Sequence, residues 1–250
     1  MSAREAGFVS VAALSHTGRV RPHNEDCIAV GTWLHAQSMR TPLLLGHALD
    51  HPLVCMVLDG MGGAAAGEVA ARLCAEYLSV HLPACASEQA LSVCVRAANA
   101  MLFEHMSADA ETLGMGATFA GLRIAADGVI ACNVGDCRVY RVQDGRLSQL
   151  SVDDVPPAAQ AAAGRSGVVT QSLGGLIRFR EIAPHVCSRS PAPGTYLLCS
   201  DGLYDGLDLA AMESAIDGDL GASVSRLFER AMDAGGRDNI SIILLRLEAR

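Results

Sequence analysis

The stretch "ATFAGLRIAADGVIACNVGDCRVYRV", residues 117–142, decides the fold because apolar strands follow one another in it with very little between them. The predicted strands are residues 117–125, 128–134 and 137–142. Short turns at Asp127-Gly128 and Gly135-Asp136 join them. Turns of that length connect antiparallel neighbours, whereas parallel strands need a crossover of a dozen or more residues. The stretch therefore predicts an antiparallel sheet.

Strands also predominate outside this stretch. The further predicted strands are residues 8–14, 27–34, 52–59, 146–150, 179–186, 194–200 and 240–247. The predicted helices are at about residues 64–81, 87–106, 208–216 and 221–234. Residues 35–51 are predicted as a loop, and residues 152–170 as a loop or a short, weak helix.

Hairpin-length turns join most of the predicted strands, so we expect an α+β fold in which helices pack outside antiparallel sheets. No internal repeat, linker or charge run marks a boundary. Residues 1–250 are therefore predicted to form a single domain.

The composition predicts a soluble chain with a large core and no nucleic-acid partner. Of its 250 residues, 50% are hydrophobic and only 18% are charged, which argues against disorder. The net charge is −8, and the chain has no cluster of basic residues of the kind that nucleic-acid binding requires. The chain contains no lysine, which excludes a Walker-type phosphate loop.

The nine cysteines include no CxxC pair, which argues against a zinc ribbon or a thioredoxin-like site. Their odd number and the lack of a secretory signal favour a reducing compartment, so we expect the protein in the cytoplasm. The longest apolar stretches, such as "PLVCMVLDG" (residues 52–60), are too short to span a bilayer, and no membrane insertion is expected.

Acidic residues recur at four corners where a predicted strand begins or ends. Asp59 and Asp201 each end an apolar run, and Asp26 and Asp238 each begin one. Each corner alone is adequately explained as a turn or a solvated strand end. Carboxylates that converged would repel one another without a cation, and isolated Asp residues suit Mg²⁺ or Mn²⁺ better than zinc. The four together point to a hard divalent cation.

Seven motifs resemble, in order, those of the PP2C (PPM) family of metal-dependent serine/threonine phosphatases. They are "VRPHNED" (20–26), "VLDGMGG" (57–63), "GMGATF" (114–119), "NVGDCRVY" (133–140), "VVTQSLGG" (168–175), "LLCSDGLYD" (197–205) and "RDNIS" (237–241). The match runs from about Ser15 to Ser241. The resemblance implies a four-layer α-β-β-α sandwich with two central antiparallel sheets, and an enzyme that hydrolyses phosphoserine and phosphothreonine in proteins.

The resemblance also implies a set of metal-binding residues. They are Glu25, Asp26, Asp59, Gly60, Asp201 and Asp238. Asp59 corresponds to the aspartate that bridges two ions, and Gly60 to the residue that lends a backbone carbonyl to one of them. Glu25 and Asp26 correspond to an acidic pair that holds metal-bound waters. Asp201 and Asp238 correspond to ligands of one ion.

Arg21 corresponds to the arginine that grips the substrate phosphate, and its guanidinium can do so through a two-point fork. The implied cofactors are two Mn²⁺ or Mg²⁺ ions, which would activate a water so that no Ser or Cys nucleophile is needed. Arg21, Asp59 and Asp201 are therefore the implied catalytic residues. A weaker third metal site, seen in bacterial relatives, would use Asp136 with Asp201 and Asp205.

Two features depart from the family pattern. Many members carry a His at the position of Met61, and a thioether cannot protonate a leaving alcohol. Water is then the default proton donor, with His16 and His23 as alternatives. After Asp153-Asp154 the insert is short and Ala-rich, whereas relatives usually have a long flap there. Short-flap relatives include bacterial phosphatases associated with type VI secretion.

The expected partners are phosphorylated protein substrates and a cognate bacterial serine/threonine kinase, with a role that would include type VI secretion control. We expect a monomer. The alternative is a catalytically silent relative that binds or scaffolds phosphoproteins, and loss of a metal-binding Asp would favour it. Arg178, Arg180 and Arg189 form a mild basic cluster, which is either plain surface or a contact for acidic phosphopeptides.

Overall fold

A computed structural model describes residues 7–62, 66–157, 168–190 and 193–248. Within these ranges the strands are β1 (Phe8–His16), β2 (Cys27–Val30), β3 (Trp33–His35), β4 (Leu43–Ala48), β5 (Leu53–Met61), β6 (Gly116–Ala125), β7 (Gly128–Val134), β8 (Arg138–Gln143), β9 (Arg146–Gln149), β10 (Leu173–Gly174), β11 (His185–Arg189), β12 (Gly194–Cys199) and β13 (Ile240–Leu247). The α-helices are α1 (Ala66–His81), α2 (Glu88–Ala108), α3 (Asp201–Tyr204), α4 (Leu209–Glu213) and α5 (Leu220–Asp233). Short 3₁₀ helices lie at Leu82–Ala84 and Ala110–Thr112.

The strands form two sheets, and every strand pair of the described residues is antiparallel. The strand order of the first sheet is β4-β1-β13-β12-β8-β9. The order of the second sheet is β11-β7-β6-β5-β2-β3, and β10 pairs with β6. The antiparallel sheets predicted from residues 117–142 are therefore present.

The two turns in that stretch have different roles. Asp127-Gly128 closes a hairpin between β6 and β7 in the second sheet. Gly135-Asp136 instead carries the chain from β7 in the second sheet to β8 in the first sheet. Gly135 has a φ of 91°, a backbone conformation that favours glycine, and a side chain there would collide with Thr118. The crossing leaves Asp136 between the two sheets.

Three apolar cores separate four layers. Helices α1 and α2 cover the second sheet through a core that includes Leu78 and Phe119. The two sheets pack face to face through residues such as Val57 and Ile243. Helices α3 and α5 cover the outer face of the first sheet, where Leu227 is fully buried. These layers confirm the α+β class and the predicted α-β-β-α sandwich.

Polar caps set the starts of the longer helices. Ser87 Oγ accepts a hydrogen bond from the Ala90 N–H at 3.2 Å at the start of α2. Asp219 Oδ1 accepts a hydrogen bond from the Ala222 N–H at 2.9 Å at the start of α5. Each helix then turns one apolar face towards a sheet.

Two predicted elements near the amino-terminal end differ from the structure. Residues 27–34, predicted as one strand, form a hairpin of β2 and β3 because Gly31 adopts a φ of 60° and reverses the chain. Residues 35–51, predicted as a loop, contain β4, which pairs with the free edge of β1.

The strand predicted at residues 179–186 also differs, since β11 begins only at His185 and residues 175–184 form no helix or strand. The first residues of the helix predicted at 64–81 and most of the segment predicted at 152–170 lie outside the described residues. Within the described residues, no helix combines the length and the apolar character needed to cross a bilayer.

Candidate active site

Antiparallel pairing brings the four acidic corners together at one edge of the two sheets. In the second sheet, β5 ends beside the start of β2, so Asp59 and Asp26 lie side by side. In the first sheet, β12 ends beside the start of β13, which brings Asp201 and Asp238 to the same edge. A hydrogen bond from Ser200 Oγ to Asp26 Oδ2, 2.8 Å long, joins the two sheets there. The name acidic site is used below for Glu25, Asp26, Asp59, Gly60, Asp201 and Asp238.

Asp26 is fully buried at the centre of this edge. Its Oδ2 accepts the hydrogen bond from Ser200, but its Oδ1 has no hydrogen-bond partner among the described residues. Burial raises the pKa of Asp26 to about 7, because desolvation outweighs the hydrogen bonds from Ser241 and Ser200. A buried carboxylate with an unpaired oxygen is costly, so this position favours a bound cation.

Asp59 and Asp201 are also strongly perturbed. Burial raises the pKa of Asp59, and nearby negative charges, that of Asp26 foremost, raise it further. Burial likewise raises the pKa of Asp201, and the charge of Asp136 adds to the effect. In the described part of the chain, Oδ1 of Asp201 is a buried atom without a hydrogen bond. Carboxyl groups that raise each other's pKa in this way cannot all ionise without a counter-charge.

Arg21 reaches the acidic site from the loop between β1 and β2. Its Nη2 lies 2.6 Å from Oδ2 of Asp238, and this hydrogen bond and opposite charge raise the pKa of Arg21. Asp238 Oδ1 accepts a second hydrogen bond, from the Asn239 N–H at 2.8 Å. The Arg21 side chain is half-exposed, so an anion from solvent can reach its guanidinium.

Asn239 holds the loops of the acidic site together. Its Oδ1 accepts a hydrogen bond from the backbone N–H of Glu25 at 2.8 Å. Its Nδ2 donates to the carbonyl oxygens of Thr17 and His23, at 2.9 Å each. Glu25 is thereby fixed with a partly buried carboxyl, and this burial raises its pKa. In the sequence, Asn239 stands only as part of the motif at residues 237–241, which does not indicate this role.

Close backbone contacts make Gly60 and Gly202 necessary. A Cβ on Gly60 would collide with the carbonyl oxygens of Gly67 in α1 and of Glu25. A Cβ on Gly202 would collide with the carbonyl oxygen of Asn239. Because no side chain separates these backbones, the carboxylates carried by the same segments stay close to one another.

Buried hydroxyl groups below the acidic site link the sheets, and they were not predicted from the sequence. The Oγ atoms of Ser15 and Ser241 are 2.9 Å apart across β1 and β13, and Asn24 Nδ2 donates to Ser15 Oγ at 2.9 Å. Ser200 Oγ accepts from the Ser241 N–H at 3.0 Å while it donates to Asp26. The only signal in the sequence was a serine beside or within an apolar run.

The residues expected at a third metal site lie on the side of α3. Burial raises the pKa of Asp136 to about 6, and neighbouring carboxylates add to this. The Tyr204 hydroxyl donates to the backbone carbonyl of Asp136 at 2.8 Å. Asp205 follows α3 and lines a cavity of about 250 Å³ together with Asp238. The side chains of this flank therefore face the same region as the acidic site.

The pair Asp153-Asp154 holds the chain at the start of the short insert. Asp153 accepts hydrogen bonds from Nε and Nη2 of Arg138, the shortest at 2.6 Å. Asp154 Oδ2 accepts the Gly135 N–H at 2.9 Å, and its Oδ1 lies 2.8 Å from His185 Nε2. These contacts tie the insert to the crossing between the sheets.

The candidate proton donors have other contacts. His16 Nδ1 accepts the Gly18 N–H at 2.9 Å, and its ring packs against Phe228 with 5.0 Å between centroids. Burial lowers the pKa of His16, so it is neutral near pH 7. His23 is exposed and contributes a backbone carbonyl to the loop network. Met61 ends β5 and has no proton to give.

Within the described residues, no three Asp, Glu, His or Cys side chains form a group ready to hold a metal ion by themselves. Asp238 is occupied by Arg21 in this arrangement. Ions such as Mg²⁺ also keep several waters and need few direct protein ligands. The carboxylates therefore form an open acidic site and not a closed cage.

The sequence profile of the family described as protein phosphatase 2C matches residues 44–244. The chain belongs to the protein phosphatase 2C family. The match includes Asp59, Asp201 and Asp238, whereas Arg21 and Glu25 precede it.

Named relatives of this phosphatase 2C chain are bacterial. The serine/threonine protein phosphatase PstP of Mycobacterium tuberculosis (H37Rv) is 31% identical over 260 residues, covering 97% of this chain and 46% of PstP. The serine/threonine phosphatase stp of Listeria monocytogenes (EGD-e) is 27% identical over 251 residues, covering 91% of this chain and 92% of the relative. The chain thus spans about half the length of PstP and most of the length of stp.

Solved structures share the fold of this phosphatase 2C chain. The catalytic domain of PstP, in complex with two manganese ions, aligns with a TM-score of 0.77 at 28% identity, covering 97% of this chain and 100% of that one. Stp1 of Staphylococcus aureus aligns with a TM-score of 0.80 at 21% identity, covering 100% of this chain and 99% of that one. At this identity the likeness shows the fold alone.

Proposed function

We propose that this phosphatase 2C chain is a metal-dependent protein phosphatase that releases phosphate from phosphoserine and phosphothreonine. The observation that carries the proposal is the convergence of Asp26, Asp59 and Asp201, two of which have a buried, unpaired carboxylate oxygen. The names of the relatives PstP and stp support the same activity. Residues 1–250 are proposed to act as one catalytic domain.

The acidic site fits divalent cations. Hard ions take carboxylate oxygens, and the unpaired Oδ1 atoms of Asp26 and Asp201 are oxygens of that kind. The manganese ions in the PstP structure support a pair of ions, Mn²⁺ or Mg²⁺, which Asp59 would help to hold. When bound, such ions would lower the pKa of a water to about 7 and offset the charge of a phosphoryl group. A weaker third ion would use Asp136 and Asp205 with Asp201.

Arg21 is the proposed phosphate-binding residue. Its half-exposed guanidinium lies at the mouth of the acidic site and can turn from Asp238 to two phosphoryl oxygens. That two-point contact would orient the phosphoester for in-line attack. Since Met61 has no proton and His16 is packed, protonation of the leaving alcohol falls to water.

The proposed partners are phosphorylated proteins and a cognate bacterial serine/threonine kinase. We place the protein, as a monomer, in the cytoplasm. A role in type VI secretion control is supported only by the short insert that follows Asp154.

Phosphate release from a phosphothreonine peptide tests the proposal, measured with Mn²⁺ and with EDTA. Asp201→Asn keeps the shape of the residue but weakens its hold on a cation, so we expect release to fall by about 100-fold or more. Asp208→Asn is the matched control, because Asp208 caps α4 through the Ala211 N–H and Asn is an equally good cap. Release that ignores EDTA, or an Asp201→Asn variant as active as Asp208→Asn, would contradict the proposal.

Two binding measurements, added to the phosphate-release assay, separate the phosphatase from the scaffold alternative. Calorimetry of Mn²⁺ binding and fluorescence anisotropy of a labelled phosphopeptide report on binding without catalysis. A wild-type protein that binds both and releases no phosphate would be a phosphoprotein-binding scaffold.

A further inference from the structure

An exposed apolar loop lies beside the acidic site. The sequence "GLIRFRE", residues 175–181 and called here the 175–181 loop, has no helix or strand. The exposed fraction is 43% for Leu176, 71% for Ile177 and 58% for Phe179. Single exposed apolar residues are ordinary, but several in one short loop mark a place where something binds.

The loop is held in place from below. Asn99 of α2 donates from Nδ2 to the carbonyl oxygen of Arg180 at 2.9 Å, and its Oδ1 accepts the Gly174 N–H at 2.8 Å. The Phe179 ring meets the Phe103 ring edge-on, with 5.3 Å between centroids. Because these contacts fix both ends of the loop, its apolar side chains are held in a defined position.

A cavity of about 160 Å³ lies at the base of the loop. Its apolar lining comes from Met61, Val169, Leu176 and Ile182, and polar groups of the neighbouring backbone and side chains complete it. An apolar cavity of about 150 Å³ is large enough to take up benzene, so this one can hold a branched aliphatic side chain.

The cavity and the acidic site are related through β5, which carries Met61 and Asp59. Met61, in its wall, lies two residues beyond Asp59 on β5, which corresponds to roughly 7 Å along the strand. A Cβ built on Gly175 would be only 3.6 Å from the Met61 sulfur, so the loop rests against this strand end. An extended peptide advances about 3.3–3.6 Å per residue. A side chain two or three residues from a phosphoresidue in the acidic site would therefore reach the cavity.

The loop also carries positive charge on an acidic protein. Arg178 and Arg180 are exposed, and among the described residues no carboxylate lies within ion-pairing distance of either. The chain as a whole has a net charge of −8. A peptide with acidic residues next to its aliphatic one would be attracted here and repelled elsewhere.

We propose that the 175–181 loop and its cavity form a docking subsite for the substrate peptide. The peptide would place an aliphatic side chain, two or three residues from the phosphoresidue, in the cavity, and acidic residues against Arg178 and Arg180. This inference rests on the proposed function, because it names the substrate class of the same site.

Phosphothreonine peptides that differ at one position test the inference. The parent has Ser around the phosphothreonine, and four derivatives carry one Leu, two or three residues before or after it. We expect wild-type kcat/KM for at least one Leu peptide to exceed that of the parent by about 10-fold, the usual gain from filling an apolar pocket. Leu176→Ser should remove this preference, while release from p-nitrophenyl phosphate, which is too small to reach the cavity, stays unchanged.

Leu209→Ser is the matched control. Leu209 is the same residue type, is 51% exposed and lies at the start of α4, so its removal should leave the Leu preference intact. A second variant, Arg178→Ser, should lower kcat/KM for a Leu peptide with added Asp residues and weaken the dependence of that rate on salt. A wild type that treats all five peptides alike, or a Leu176→Ser variant that keeps the preference, would overturn the inference.

The outcomes also distinguish this inference from the proposed function. If no substrate releases phosphate with Mn²⁺ present, the phosphatase proposal fails, and anisotropy of the labelled peptides still decides whether the Leu peptide binds more tightly. If the wild type dimerises, Leu176→Ser is monomeric by light scattering and no peptide is preferred, the loop is a self-association surface and the docking inference is wrong.

Discussion

Arg21 and Asp238 form an ion pair across the mouth of the acidic site, with 2.6 Å between Nη2 and Oδ2. In the proposed function, Arg21 binds phosphate and Asp238 binds a cation. The ion pair therefore competes with both ligands, and binding of one frees the partner residue for the other. Such coupling between two ligands is reciprocal.

Replacing Arg21 should separate its two effects. In Arg21→Gln we expect kcat/KM for p-nitrophenyl phosphate to fall by about 10- to 100-fold, mainly through KM, because a charge-assisted contact to phosphate is lost. Mn²⁺ affinity, measured by calorimetry, should stay the same or rise, because Asp238 no longer has a competing cation.

Arg19→Gln controls for the loss of positive charge from the same loop, since Arg19 is exposed and pairs with Asp233 at 3.7 Å and not with a residue of the acidic site. This variant should change neither kcat/KM for p-nitrophenyl phosphate nor Mn²⁺ affinity by more than about 2-fold, as expected for an exposed pair. Weaker Mn²⁺ binding with an unchanged KM in Arg21→Gln would show that Arg21 supports the cation and not the phosphate.

Removing the Asn239 side chain should destabilise the fold. Asn239→Ala removes hydrogen bonds to Glu25, Thr17 and His23 and leaves buried polar groups without partners. We expect the free energy of unfolding in urea to drop by about 2–4 kcal/mol. Ser87→Ala, which removes one exposed cap, sets the scale at about 1 kcal/mol. Equal losses in the two variants would contradict a central role for Asn239.

The metal-free protein should lose stability as the pH rises. The pKa of Asp26 is raised to about 7 in the folded state, whereas the unfolded value is 3.8. Between these values the folded protein holds a proton that the unfolded chain has released, so stability falls from about pH 4 to pH 7. Each such group contributes at most about 1.4 kcal/mol per pH unit. Burial raises the pKa of Asp59 and Asp201 in the same direction.

Thermal unfolding in EDTA at pH 5 and pH 8 measures this effect. Asp26→Asn should reduce the difference in melting temperature between the two pH values, and Mn²⁺ should stabilise the wild type more at pH 8 than at pH 5. A wild type more stable at pH 8 than at pH 5 without metal would mean that the carboxylates are already compensated.

Thiol reactivity should be confined to one cysteine. Burial raises the pKa of Cys27, Cys55 and Cys199 to about 12, so little thiolate forms at pH 8. Cys187, on the edge strand β11, is partly exposed, whereas the other cysteines are buried. Ellman's reagent should titrate one thiol in the native protein and nine after unfolding, and Cys187→Ser should abolish the native reaction. Several fast-reacting native thiols would show that the outer helix layer opens readily.

The residues were sufficient to predict the strand-end aspartates and the antiparallel sheets, because both are local signals, whereas the four-layer sandwich followed from the family resemblance. Asp59 and Asp201 stand at the ends of apolar runs, and short turns indicate antiparallel pairing. The hydroxyl network could not be predicted, because Ser15 and Ser241 are 226 positions apart and meet only through the register of β1 and β13.

Local patterns also misled where pairing is decided by distant residues. Residues 177–180 alternate apolar and basic side chains as a strand would, and a strand was predicted at residues 179–186, yet no partner strand reaches residues 177–184 in the described part of the chain. Gly135-Asp136 looks like a hairpin turn, but β8 finds its partners in the first sheet. In both cases the periodicity is local, whereas sheet membership depends on the whole fold.

The contact between Gly60 and Gly67 bears on how this protein tolerates change. Neither residue has a side chain, yet the contact between their backbones sets the spacing between an inner strand and an outer helix. In a library that samples every amino acid at each position, these two glycines should be as intolerant as the aspartates. Positions 176–178, in the exposed 175–181 loop, should accept most residues, so a redesigned specificity would be sought there.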